Sequence, residues 1–182
     1  FHPDWADVVQ PLRVGLIEHG WNTLSIQLPV LAKEAKYLDY VEVFPAAVPR
    51  IEAALAAARE RGNGKIVMVA HSCGAHMAQH WLLEGGASAS GAIDAFVGIG
   101  MGATDYGQAM AEPFVFDRLS IPVLDVYAER DFPAVRLLAP QRWALMKQGG
   151  HADNAQIEIP DAEHYFVDRG EALVEAIASW LN

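Results

Sequence analysis

Ser72 lies in Val67-Met-Val-Ala-His-Ser-Cys-Gly-Ala-His76, where an apolar, β-branched run gives way to a turn of small residues and then to a helical pattern. The spacing matches the nucleophile elbow G-x-S-x-G, with Ala70 in the first glycine position and Gly74 in the second. At such an elbow the serine occupies a strained conformation, and its neighbours two before and two after crowd against strand and helix backbone. Bulky side chains are excluded there; Ala70 and Gly74 are small enough. The chemistry this predicts is attack of the Ser72 hydroxyl on a carbonyl carbon, with the Cys73 backbone N–H as one donor to the oxyanion, at a helix N-terminus.

A serine nucleophile needs a base, and the base needs an orienting carboxylate. Downstream of the elbow helix the sequence has two histidines, His151 and His164. His164, in Pro160-Asp-Ala-Glu-His-Tyr-Phe166, follows the last strand pattern and is expected at the carboxyl edge of a sheet, where the elbow must lie. His151 precedes that strand and is expected at the opposite edge. For the acid, Asp131 follows the run Pro122-Val-Leu-Asp-Val-Tyr127 at the correct edge. Asp105, after the preceding strand, is the alternative. Asp125 falls within a strand, where a buried carboxylate is costly unless paired, and Glu129 reads as a solvated loop charge.

These residues need a scaffold that brings strand ends together. An amphipathic segment from Ala6 to His19 is followed by a predicted first strand, Asn22–Pro29, and by an Ala-rich helix over Tyr40–Arg61 closed by Gly62-Asn63-Gly64. Lys65–Ala70, Ala95–Gly100, Pro122–Tyr127 and Ala155–Ile159 read as further strands. Helices are predicted over Gly74–Glu84 (stopped by Gly85-Gly86), Pro133–Lys147 and Glu171–Leu181. Strands alternating with helices of this length imply βαβ units, hence a three-layer α/β/α sandwich on a mostly parallel sheet. Residues 1–182 read as a single domain, with no repeat and no linker.

Ala70-His-Ser-Cys-Gly, Tyr127-Ala-Glu-Arg-Asp131 and Ala162-Glu-His164-Tyr-Phe resemble, in order, the three signature regions of the α/β-hydrolase superfamily. Phe1-His-Pro-Asp-Trp5 and Leu24-Ser-Ile-Gln-Leu-Pro29 further resemble a bacterial group of hydrolase-like proteins catalogued as a domain of unknown function. The resemblance spans nearly the whole chain. It implies an α/β-hydrolase fold in a minimal or N-terminally incomplete form, without a large cap domain. It also implies a second oxyanion donor from a loop upstream of the first helix, whose tail residues 1–5 resemble. Pro3 has no N–H, so the donor would be Phe1, His2 or a residue before them.

Net charge is −10, and no Lys/Arg cluster occurs in the 182 residues, which disfavours nucleic acid and anionic membranes as partners. No apolar run approaches the ~18 residues of a membrane span. The single cysteine, Cys73, forbids an intrachain disulfide, which fits the cytoplasm without excluding the periplasm. His76 and His80 have helical i, i+4 spacing, yet no carboxylate or cysteine stands at a matching interval, so no metal is expected. No cofactor is required. Met101–Met110 is the only room for a lid, and its Met and Tyr residues could equally line an acyl or alcohol pocket or form a plain connection. The expected activity is hydrolysis of a small-molecule carboxylic ester or thioester by Ser72, His164 and Asp131 through an acyl-enzyme. An acyltransferase using the same residues, or a non-catalytic ligand- or partner-binding protein of this fold, are the alternatives.

Overall fold

The computed structural model describes residues 2–62 and 64–182. Phe1, and Asn63 of the expected helix stop, lie outside the described residues. The sheet is built from β1 (Val67–His71), β2 (Ala95–Ile99), β3 (Val123–Arg130) and β4 (Ala155–Glu163). All neighbours are parallel and the spatial order is β1-β2-β3-β4. The crossovers carry α4 (Cys73–Ser90), then an irregular stretch with a short 3₁₀ turn (Phe116–Arg118), then α5 (Pro133–Gly149). Ahead of the sheet come α1 (Val9–Glu18), α2 (Tyr37–Val41) and α3 (Val48–Glu60), and α6 (Gly170–Leu181) ends the chain.

Alternation along the strands divides the core in two. Phe96 and Val123 point to one face, where they join Phe44, Ile51, Trp81 and Met146. Val97, Ile99, Leu124 and Val126 point to the other, against Leu12, Leu16, Leu173 and Ile177 of α1 and α6. β2 is buried along its whole length, as a strand covered on both faces must be, and its sequence is accordingly a continuous apolar run. The three-layer parallel architecture is as expected, and no segment among the described residues forms a large cap.

Three expected elements differ. Residues 22–29 form no strand. Leu24, Ile26 and Leu28 alternate in sequence as one face of a strand would, but only Ile26 and Leu28 pack on the core, while Leu24 is exposed. Gln27 O accepts from Arg50 Nη1 and Leu28 O from the Gln27 side chain, so side chains take bonds that a ladder would make. The single helix expected over residues 40–61 is divided into α2, a 3₁₀ turn (Phe44–Ala47) and α3; Pro45 and Pro49 stand at the starts of the last two, where a missing N–H costs nothing. Finally, α4 runs through Gly85-Gly86 to Ser90. Glycine weakens a helix interior by only about 1 kcal/mol, and the buried face of Ala75, Met77, Ala78, Trp81 and Leu82 outweighs that.

Candidate active site

Because the strands are parallel, their carboxyl ends share one edge, and each delivers a residue there. β1 ends at His71 and the chain turns at Ser72, whose φ is 52°. A serine with positive φ is held against its preference. What holds it is Ser72 N–H donating to Ile99 O at the end of β2 (2.8 Å), while Ser72 O accepts from Ala75 and His76 N–H as α4 begins. Cys73 is the first residue of α4, so its N–H has no carbonyl one turn back within the helix. Burial pushes the Cys73 thiol up to about 12, which keeps it protonated.

β4 delivers His164. Strand pairing shifts between Ala128↔Ile159 and Arg130↔Glu163, a bulge in which Asp161 takes φ 54°. Asp161 N–H donates to Glu129 Oε2 (2.7 Å), and Arg130 Nη2 donates to Asp161 O (2.7 Å). β4 therefore continues to Glu163, past its expected end at Ile159, and Glu129, exposed as expected, lies in β3 and braces the bulge. Bulges re-aim strands next to sites; this one brings the His164 ring back over the sheet.

His164 Nδ1–H donates to Asp131 Oδ1 at 2.6 Å, and the Ser72 hydroxyl donates to His164 Nε2 at 2.7 Å. An ionised carboxylate can only accept, so Nδ1 carries the proton and Nε2 is free to receive one. Both His164 and Asp131 are buried. Burial acts to raise the Asp131 carboxyl, but the hydrogen bond and charge of His164, with N–H groups of Ala128 and Phe132, prevail and hold it below the ordinary value. Asp105 stands elsewhere: it accepts from Tyr37 N–H (2.9 Å) and lies 3.8 Å from Lys36 Nζ. His151 precedes β4, at the amino edge. Asp125 is paired after all, with Arg142 Nε at 2.8 Å inside the core.

Three residues of the site escaped sequence reasoning. Gly100, φ 59°, lies so close beneath the imidazole that a Cβ there would sit 2.9 Å from His164 Cε1 and 3.1 Å from Nδ1; its only sequence signal was to end a strand. Phe132 stacks on the His164 ring, centroids 4.1 Å apart and planes 22° from parallel. His71 Nε2–H donates to His164 O (2.8 Å), which fixes the backbone that carries the His164 ring; burial and the neighbouring His164 lower its own pKa to about 4, so it stays neutral. Trp5 rests against His71 and Tyr165 and so borders the site. Of the named candidates for a second oxyanion donor, His2 is exposed and Phe1 is outside the described residues.

His76 and His80 reach the loop after β2. His76 Nε2–H donates to Ala103 O (3.0 Å) and His80 Nδ1 contacts Glu112 Oε1 (2.6 Å). Among the described residues no group of three His, Cys, Asp or Glu could hold a metal, and no helix is long and apolar enough to cross a membrane.

Comparison with known proteins agrees with this fold. The family described as Protein of unknown function (DUF3530) matches residues 1–41 and 45–182. No curated protein matches the sequence. Among solved structures, an α/β serine hydrolase homologue from Coxiella burnetii superposes with a TM-score of 0.67 at 18% identity, over 98% of this chain and 78% of that one. A protein from Xanthomonas campestris assigned to the α/β hydrolase superfamily gives 0.61 at 19% identity, over 99% and 91%. Esterase PE8 gives 0.54 at 16% identity, over 84% and 68%. At these identities the likeness is one of fold: the α/β-hydrolase fold.

Proposed function

The chain belongs to the DUF3530 family, and from its site we propose that it is a serine hydrolase acting on ester-like bonds, a carboxylic ester or thioester. The observation that carries the reading is the unbroken pair of short hydrogen bonds, Ser72 Oγ to His164 Nε2 and His164 Nδ1 to Asp131 Oδ1, in an elbow with positive φ at the serine. His164 Nε2 takes the hydroxyl proton as Ser72 Oγ bonds to the carbonyl carbon. The oxyanion faces the Cys73 N–H at the start of α4, where the helix dipole favours negative charge. Asp131 keeps Nδ1 protonated and stabilises the imidazolium. The imidazolium then returns its proton to the departing alcohol or thiol, leaving an acyl-Ser72 ester. Water, deprotonated by His164, cleaves that ester and releases the acid.

The test is covalent labelling by a fluorophosphonate. Ser72 of the folded wild type should be labelled, and Ser72→Ala and His164→Ala should not, with rate losses of ~10⁴-fold or more. Folded wild type that leaves Ser72 unlabelled under excess probe refutes the proposal in favour of a non-catalytic binding role.

A further inference from the structure

Beside the site runs a groove of about 1000 Å³ between the loop after β2 and the start of α5. Its apolar lining includes Met110, Phe114, Phe132, Pro133, Leu137 and Leu138. The groove is continuous with the site through Phe132, which lines it with one part of its surface and stacks on His164 with another. Phe132 and Leu137 are exposed, Leu137 to 78%. Exposed apolar side chains grouped along one channel and leading to a reactive serine need an occupant in a way that scattered ones do not.

The loop wall of the groove is fixed in place. Residues 103–113 are tied to the helices behind them: His76 Nε2–H donates to Ala103 O, Gln79 Nε2 to Pro113 O, and Ala111 N–H donates to the Tyr37 hydroxyl. Glu112 is held by His80. This loop was the only candidate for a lid; four separate ties make it a standing wall, and a wall set before binding loses no ordering entropy when a ligand arrives.

Charge narrows the occupant. Among the lining residues none is cationic. The two carboxylates are engaged, Asp105 by Tyr37 N–H and Glu112 by His80, while Gln108 Oε1 and Glu112 Oε2 are buried acceptors without a partner among the described residues. A carboxylate or phosphate on the chain would find no cation in the lining to balance it: the side-chain donors of Tyr106, Gln108 and Gln141 are neutral, and the Lys36 ammonium nearby is set on Asp105 at 3.8 Å.

We propose that this groove binds an uncharged apolar chain of the substrate, so that the preferred esters are neutral and carry a chain of several methylenes on the acyl or the alcohol side. The proposal takes its chemistry from the hydrolase reading above but stands on the groove for the chain. Full burial raises affinity about fourfold per methylene; in a half-open groove roughly twofold is expected, hence about sixtyfold from a two-carbon to an eight-carbon chain.

Two measurements test it. First, kcat/KM is compared for p-nitrophenyl acetate through octanoate and for ethyl through octyl acetate. A rise of about that size in either series supports the groove and identifies which chain it takes; an ω-carboxylate on the longest member should abolish the gain. Leu137→Asp, on an exposed helix face, should cut the long-to-short ratio at least tenfold. Second, calorimetric binding of N-methyloctanamide and N-octylacetamide to Ser72→Ala protein examines the groove without turnover. Binding of either that Leu137→Asp weakens tenfold supports the proposal even if wild type is not labelled by fluorophosphonate. Flat ester series or absence of amide binding overturns it, while labelling of Ser72 would leave the hydrolase reading standing.

Discussion

Replacing Gly100 by alanine should separate the geometry of the site from the stability of the fold. The backbone there has φ 59°, which costs an L-residue about 1–2 kcal/mol. The new Cβ would lie 2.9 Å from His164 Cε1 and 3.1 Å from Nδ1, against about 3.5–4.0 Å for relaxed carbon contacts. The ring must therefore move by roughly 0.5–1 Å. It is boxed in by Asp131 and Phe132, so the movement stretches the 2.7 Å contact to Ser72 Oγ beyond hydrogen-bond range. Misplacement by about 1 Å costs on the order of 10²-fold in rate. Gly150→Ala is the control: its φ of 77° is as unfavourable, but the nearest atom to a Cβ is Gln148 O at 4.0 Å. Both variants should lose a few degrees of Tm by calorimetry, yet only Gly100→Ala should slow fluorophosphonate labelling of Ser72, about a hundredfold. Labelling of Gly100→Ala within threefold of wild type, or equal slowing of both variants, refutes the reasoning.

Arg142 is wholly buried, with Nε on Asp125 and Nη1 donating to Met101 O and Val135 O at 2.8 Å each. Arg142→Leu strands the Asp125 carboxylate and should cost about 3–5 kcal/mol in urea unfolding, most of it recovered in Asp125→Leu/Arg142→Leu; a loss under about 1 kcal/mol contradicts this. Acid should also weaken the fold through its buried histidines. Burial first, and for His71 the adjacent His164, lower His71 and His76 to about 4, so the folded state binds fewer protons than the unfolded chain below pH ~6.5. Their contribution is full above that value and lost as pH falls toward 4. His76→Gln should flatten the slope by up to about 1.4 kcal/mol per pH unit, read from urea midpoints between pH 4.5 and 7.5; an unchanged slope refutes it.

The parallel α/β architecture was legible because four apolar runs alternate with helical patterns, and parallel strands buried on both faces have little other way to be written. The positions of Ser72, Asp131 and His164 were legible for a related reason: each follows a strand, and parallel strands share a carboxyl edge. Pairing between strands was less so. Residues 22–29 carry the period of a strand in Leu24, Ile26 and Leu28, yet Leu24 is exposed, and period does not report whether a neighbour offers a ladder. The end of β4 was misjudged because a bulge at Asp161 rests on contacts from Glu129 and Arg130, more than thirty residues away. Gly100, Phe132 and His71 were hidden for the same cause. Their roles arise from distances to His164 that only the assembled sheet creates.

The backbone strain of this molecule has a place as well as a magnitude. Among the described residues the non-glycine positions with positive φ are Ser72, Asp161, Phe166 and Asp168. One is the serine; the other three bracket His164 within four residues. Each such conformation costs of order 1–3 kcal/mol and persists only where its surroundings enforce it. Here they do: Ile99 O receives Ser72 N–H, Glu163 O receives Phe166 N–H at 2.8 Å, and Phe166 is fully buried. Strain scattered over a fold would say nothing about chemistry. Strain gathered on the two segments whose separation sets the Ser72–His164 contact says that this contact is what the rest of the structure holds in place. It follows that the brace, more than the strained residue it holds, places the histidine: Asp161→Gly, which removes the steric cost but keeps the backbone N–H and C=O bonded to Glu129 and Arg130, should leave labelling of Ser72 intact, whereas Glu129→Ala, which removes the brace, should slow it.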